Sequence, residues 1–265
     1  MVQEPWQLQI AKKSLKKKEK LKLLEKNLSV EPSAVILDLG CAQGILSHFL
    51  RQKGGLWVSV DQDLANLKTS QSLLKKNIIQ IGAGVLPFKS GSFDMVVSLD
   101  YIEHLDDDDL CLQEVQRILK KNGQLILATP RSGKFLLCHR LRALFGLKPE
   151  FYGHKREGYS LDTLRTKLEG AQLLMEKHRT FSRFFSEFLE LFLNAFYLKA
   201  FSPKTPVGLR DGHIRPSTSA EFESKKKAFR AYSFFYPLIW LISRLDKLLF
   251  FLKGYGLMVW AKRVE

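Results

Sequence analysis

Residues Ala34 to Gly44 read AVILDLGCAQG, and the rest of the chain is read outward from them. Four apolar residues run into Asp38, a short loop opens at Gly40 and closes at Gly44, and the apolar segment ILSHFL follows. A buried apolar run that turns sharply into a helix is the pattern of a parallel strand in an α/β sheet. Gly40 and Gly44 lack the Cβ atoms that would keep a ligand off the backbone. The N–H groups that open the next helix are expected to face an anionic or polar group. In such a sheet the loop lies at the carboxyl end of its strand, where ligands bind.

On the N-terminal side, Glu31-Pro32-Ser33 breaks the chain before this strand. On the C-terminal side the pattern alternates. A helix over 44–53 stops at Gly54-Gly55, and a strand over 56–60 ends in Asp61. A helix over 64–76, a strand over 78–81 and a flexible Gly82-Ala83-Gly84 turn precede Leu86-Pro87-Phe88. A fourth strand over 95–99 carries Asp100, Tyr101, Glu103 and His104 at its end. Asp106 to Asp109 open a helix over 108–120, Lys121-Asn122-Gly123 stops it, and 124–128 is a fifth strand. Carboxylates at a helix start serve the N-cap and the dipole, so no metal site is expected there. The alternation predicts a parallel sheet with helices on both faces. Beyond Pro130 a basic helix is expected over 135–145, a helix capped by Ser160 over 161–169, and strands over 172–180 and 256–262.

Two segments stand apart. Residues 10–27 read as one lysine-rich helix, a solvated surface element or one that rests on anionic lipid headgroups. Residues 181–253 interrupt the α/β pattern with two apolar blocks, FFSEFLELFLNAFYLKAF and YSFFYPLIWLISRLDKLLFFL. The longest uncharged run, 231–243, falls short of the roughly 18 residues a spanning helix needs, and Pro237 interrupts it. The blocks are expected to form a helical cap, a membrane-interface surface or a greasy substrate pocket, joined by a mobile polar loop over 203–227. The expected organisation is therefore a basic helix at 1–30, an α/β domain at 31–180 plus 254–265, and an insertion at 181–253.

Bulk composition narrows the partners. The 265 residues are 45% hydrophobic and 26% charged, enough for a substantial core. A net charge of +15 suggests a polyanionic partner: nucleic acid, an anionic membrane or an acidic substrate. Cys41, Cys111 and Cys138 lie far apart and form no CxxC, so neither zinc nor a disulfide framework is indicated. A reducing cytosol fits best, and MVQEPWQLQIAKKS has no apolar core of signal-peptide type. The expected location is cytoplasmic, peripheral at the inner face of a membrane.

Asp61 is the second anchor. It lies about 20 residues past the glycine loop, where an acid can accept both hydrogen bonds of a ribose diol. The order DLGCAQG, strand-terminal Asp, LPF, SFD, EHL, KKNGQLILATP resembles the class I S-adenosylmethionine-dependent methyltransferases, over 34–130 and more weakly in GHKREGYSLDTL and the last strand. The similar branch is the one that includes quinone-biosynthesis enzymes. A dehydrogenase would need GxGxxG, which GCAQG is not.

The resemblance implies a Rossmann-like, seven-stranded, mostly parallel sheet, and S-adenosyl-L-methionine as cofactor. It implies that Asp38, Gly40, Cys41, Ala42 and Gly44 hold the methionine part, Asp61 the ribose, and Gln62, Ala83 and Gly84 the adenine side. Gly82 to Gly84 lack the acid the family usually has there, and Ala42 stands where Gly is frequent. Asp100 would lie beside the sulfonium. His104 and His154 are the candidate general bases, and Tyr101, Arg156 and Tyr159 the candidate substrate contacts. The Asn/Asp-Pro-Pro-aromatic motif of base-amino methylation is replaced by DYIEH. A hydrophobic or lipid-linked acceptor is therefore expected ahead of nucleic acid.

Overall fold

The computed structural model describes residues 4–82, 84–133, 138, 153–201 and 218–264. Its centre is a seven-stranded sheet in the order β3-β2-β1-β4-β5-β7-β6. The strands are β1 (Val35–Leu39), β2 (Leu56–Asp61), β3 (Ile78–Gln80), β4 (Phe93–Leu99), β5 (Leu119–Pro130), β6 (Leu173–Phe181) and β7 (Gly256–Arg263). The five strands from β3 to β5 pair in parallel, and β7 pairs antiparallel with both β5 and β6. Order reverses beside β1, which sends the chain to one side through β2 and to the other through β4 and opens a crevice at the strand ends.

The apolar runs explain the sheet's position. Ile36, Leu37, Leu39, Val96, Val97, Leu125, Ile126 and Leu257 to Val259 are fully buried, as strands covered on both faces require. One face packs on α5 (Asp108–Ile118) and α6 (Leu161–Gly170) through Leu112, Val115, Leu164 and Leu168. The other packs on α2 (Leu15–Asn27) and α3 (Ile45–Arg51) through Leu24 and Leu50. A further helix, α4 (Leu64–Leu74), flanks β2 and β3 and is capped by Asp63.

Three expectations need correction. The single helix over 10–27 is two, α1 (Trp6–Ala11) and α2, because Ser14 caps Lys17 N–H and starts a new helix. Lys121-Asn122-Gly123 does not separate helix from strand. Helix α5 ends at Ile118, and these residues form a bulge inside β5, with Asn122 at φ 63°, between the Phe93–Leu119 and Met95–Gln124 pairs. Pro237 does not break the second apolar block: the helix from Lys226 to Ser243 runs through it.

The insertion consists of α7 (Phe184–Phe201), α8 (Ser219–Ser224) and α9 (Lys226–Ser243), followed by a 3-10 turn at Arg244–Lys247. The expected loop is therefore helical from Ser219; its 203–217 portion, and the expected helix over 135–145 apart from the buried Cys138, lie outside the described residues. Buried Asp246 in the turn accepts from Arg183, Phe185 and Ser186 N–H groups at 3.0, 2.7 and 3.1 Å, capping α7. Trp6 stacks on Phe222 at 5.9 Å, and Tyr232 donates to the Lys13 carbonyl, so α1 and α2 pack with the insertion. Among the described residues, no helix is long and apolar enough to cross a membrane.

Candidate active site

A cavity of about 330 Å³ lies where β1 and β4 end. Its floor is Asp38 and the Gly40–Ala42 backbone, and its side is Asp100, Glu103 and His104. The roof comes from the two segments that stand apart in sequence: Lys16, Lys17 and Lys20 of α2, and Glu187, Glu190 and Asn194 of α7. Lys16 bridges to Glu187 at 3.0 Å and Glu190 at 3.7 Å, and Glu19 accepts from Ser182 N–H at 2.7 Å. The lysine-rich helix thus lies over the crevice, and its Lys20 is buried.

The glycine loop is shaped by protein contacts. Gly40 and Cys41 N–H both donate to Val60 O at 2.9 Å, Ala42 N–H donates to Asp61 Oδ2 at 2.8 Å, and Gly44 N–H to Cys41 O. The Gly40, Cys41 and Ala42 donors thus tie the loop to β2 and its terminal Asp61, and Gly44 N–H closes the loop on itself. Gly40, at φ 83°, is required because a Cβ there would meet the Tyr101 ring at 2.4 Å. Tyr101 Oη accepts from Gln62 Nε2 at 2.8 Å. Asp61 also takes Asp63 N–H at 2.9 Å. Asp61, Gln62 and Tyr101 therefore brace the loop from behind, outside the cavity lining. The substrate contact expected of Tyr101 does not fit this placement. Gly84 abuts Leu110 at a distance of 3.6 Å from its absent Cβ, and Ala83 lies outside the described residues.

Asp38 is the charged group of the floor. It is 4% exposed, accepts from Ser59 Oγ at 2.8 Å, and burial pushes its pKa up to about 6 despite the serine hydrogen bonds. Cys41 is a buried thiol whose pKa burial raises, so it serves as a small apolar wall. Asp100, at φ 55°, pairs with Lys20, whose pKa burial lowers.

Glu103 is fully buried; its Oε2 accepts from Thr129 Oγ1 at 3.2 Å, and burial raises its pKa while the Lys20 charge opposes the rise. His104 and His154 come together in this cavity, their rings 4.7 Å apart and edge to face. The two candidate bases, separated by 50 residues of sequence, therefore share one wall.

Arg156 and Tyr159 do not reach it. Arg156 donates to Ile102 O, Leu105 O, Asp106 O and Tyr159 Oη and bridges to Asp108 at 2.8 Å. Tyr159, 2% exposed, donates to Asp108 Oδ2 at 2.5 Å. Both pin the strand-four loop and α5 together, which corrects the expected substrate role. Asp107 caps α5 through Leu110 N–H. Sequence reading missed Lys16, Lys20, Glu187 and Glu190, because a lysine-rich helix and an acidic pair inside an apolar block give no signal of what they face.

The pattern that defines the family described as "Methyltransferase domain" matches residues 37–127, the segment that builds the floor and side of this cavity. Residues 37–127 carry a methyltransferase domain of the class I, S-adenosylmethionine-dependent kind. It is 28% identical over 129 residues to a ubiquinone biosynthesis O-methyltransferase of Pelagibacter ubique, covering 47% of this chain and 52% of that one. It is 32% identical over 114 residues to the 18S rRNA (guanine(1575)-N(7))-methyltransferase of Saccharomyces cerevisiae, covering 41% of each. The chain thus spans about half the length of the curated relatives it matches. The fold is shared with a SAM-dependent methyltransferase of Methanosarcina mazei, with a TM-score of 0.54 at 16% identity over 91% of this chain and 97% of that one.

The residues present fit the family's methyl donor. The methyltransferase floor offers a buried carboxylate, Asp38, whose ionised form burial disfavours despite the Ser47 and Ser59 hydroxyls and the Arg51 charge, and which a ligand's α-ammonium would further stabilise. Gly40, Cys41 and Ala42, which line the cavity beside Asp38, would border the methionine part.

Proposed function

We propose that the chain transfers the methyl group of S-adenosyl-L-methionine to a hydroxyl of a hydrophobic or lipid-linked small molecule, working peripherally at the cytoplasmic face of a membrane. The observation that carries this reading is the roof. The inner side of α2 and α7 closes the cavity. The outer side of α9 and the following turn exposes Phe234, Phe235, Leu238, Leu241, Leu248, Phe250 and Phe251, several above 60%. So wide an apolar surface beside basic residues suits an anionic bilayer.

The cofactor supplies an activated methyl group when bound. The chain's residues do the rest. Asp38, Gly40, Cys41, Ala42 and Gly44 would hold the cofactor's amino-acid end, Asp100 would lie on the side of the reacting end, and Asp61, Gln62 and Gly84 would border the nucleoside, as the family resemblance implies. The α2–α7 roof excludes water, and His104 or His154 takes up the acceptor's proton. Ala83 belongs to the same nucleoside turn in sequence.

The test is transfer of labelled methyl from S-adenosyl-L-methionine to a panel of long-chain phenols and catechols presented in vesicles, with RNA in parallel. Label in the lipid phase supports the proposal. Label in RNA alone would instead favour the second reading, which the +15 charge and the likeness to the yeast rRNA enzyme keep in play. Cofactor binding with no transfer to any class would point to a methyltransferase fold retained as a binding module.

A further inference from the structure

Lys20 reaches the cavity from α2 with most of its hydrogen-bonding capacity unused. Its side chain is 6% exposed and belongs to the cavity roof. A lysine ammonium carries three N–H donors. Among the described residues Lys20 Nζ makes one hydrogen bond, to Asp100 Oδ2. The Phe181 ring lies 5.6 Å from Nζ and holds the head group by its face. A carboxylate and an aromatic ring thus fix the ammonium, and the cavity is what its other donors have left to meet. A buried ammonium with unmet donors is costly unless an acceptor reaches them.

We propose that Lys20 is a catalytic residue of the acceptor site, its Nζ–H donating to the oxygen that receives the methyl group. The inference rests on the reading that a hydroxyl is methylated. The lining suits a neutral acceptor better than an anion, because Asp38, Asp100, Glu103, Glu187 and Glu190 outnumber Lys16, Lys17 and Lys20. The hydroxyl oxygen gains negative charge only as its proton passes to His104 or His154, and the fixed ammonium stabilises that charge as it develops. The O–C bond forms as the S–C bond breaks, sulfur keeps the bonding electrons as a neutral thioether, and the histidine becomes imidazolium. Burial, then Lys17 and Lys16 on the same helix, push the Lys20 pKa down to about 7, while Glu103 and Glu190 oppose the fall. Asp100, after β4, faces the same ammonium. An oxygen that accepts from the charged form therefore binds best below that pH and loses affinity above it.

The experiment is equilibrium binding of para-nonylphenol, and of nonylbenzene, which lacks the oxygen, to the full chain saturated with S-adenosyl-L-homocysteine. The wild type should prefer the phenol at least tenfold at pH 6, and the preference should shrink above pH 7. Lys20→Met should abolish the preference while nonylbenzene still binds, and Lys20→Arg, which keeps charged donors, should retain part of it. Lys22→Met, on the exposed side of α2, should leave it unchanged. Circular dichroism and S-adenosyl-L-homocysteine binding check the fold of each variant. No preference in the wild type, an equal preference in Lys20→Met, or an equal loss in Lys22→Met overturns the proposal. Labelled methyl transfer to the phenol on the same samples separates the two readings: transfer that survives in Lys20→Met leaves the hydroxyl reading standing and removes only the role of Lys20.

Discussion

Asp38→Asn should make the protein more stable at neutral pH while weakening its site. The wild-type carboxyl titrates at about 6 in the fold against 3.8 as the ordinary value, because burial penalises its charge. That gap is about 2.2, and at about 1.36 kcal/mol per pKa unit it amounts to about 3 kcal/mol. The sign follows from proton counts. Between pH 3.8 and 6 the folded chain holds the Asp38 proton more tightly than the unfolded chain, so stability falls as pH rises through this window. Above it the full penalty remains; below it none does. Asparagine carries no charge and keeps a carbonyl for Ser59, so the variant should gain about 1–3 kcal/mol at pH 8. Urea midpoints of both proteins across pH 4 to 8 check this. Their difference should shrink towards zero, or reverse, as pH approaches 4. A difference that does not change with pH would refute the assignment of a buried, penalised carboxylate to the cavity floor.

Other outcomes follow from the same geometry. Gly40→Ala forces a side chain onto φ 83° and into the Tyr101 ring, and should lose about 2–4 kcal/mol in urea unfolding; Gly40→Ala with Tyr101→Ala should recover part of it. Burial favours neutral Lys20, so the folded chain holds fewer protons there than the unfolded chain as pH rises above about 7. Stability should therefore climb between pH 7 and 10, and thermal melts of Lys20→Met should lack that component. Phe234→Ser with Phe250→Ser removes two exposed rings worth about 1.5–3 kcal/mol each when buried. Flotation with anionic vesicles should show recruitment of the wild type and a loss of at least tenfold in the pair.

The α/β half was legible because its signals are local. AVILDLGCAQG places strand, turn and helix by apolar run and glycine alone, and Asp61 falls one strand over by spacing. At Gly40 the fold adds a reason that the local pattern does not carry, the Tyr101 ring packed where a Cβ would stand. The roof was illegible because its meaning is long-range. Lys20 looks like any lysine of a solvated helix until the fold sets it against Asp100, 80 residues away. Arg156 and Tyr159 sit in a motif near the substrate side, yet their buried partner Asp108 captures both. His104 and His154 were each suspected alone. Their meeting on one wall, with Glu103 between sheet and cavity, needed the tertiary structure.

The most direct test of the central claim is calorimetric titration of the wild type and Asp38→Asn with S-adenosyl-L-methionine at two temperatures, since Asp38→Asn is expected to stay folded. The account predicts one molecule bound per wild-type chain and affinity at least tenfold weaker in the variant. No binding to the wild type at either temperature, or equal binding by both proteins, would contradict it.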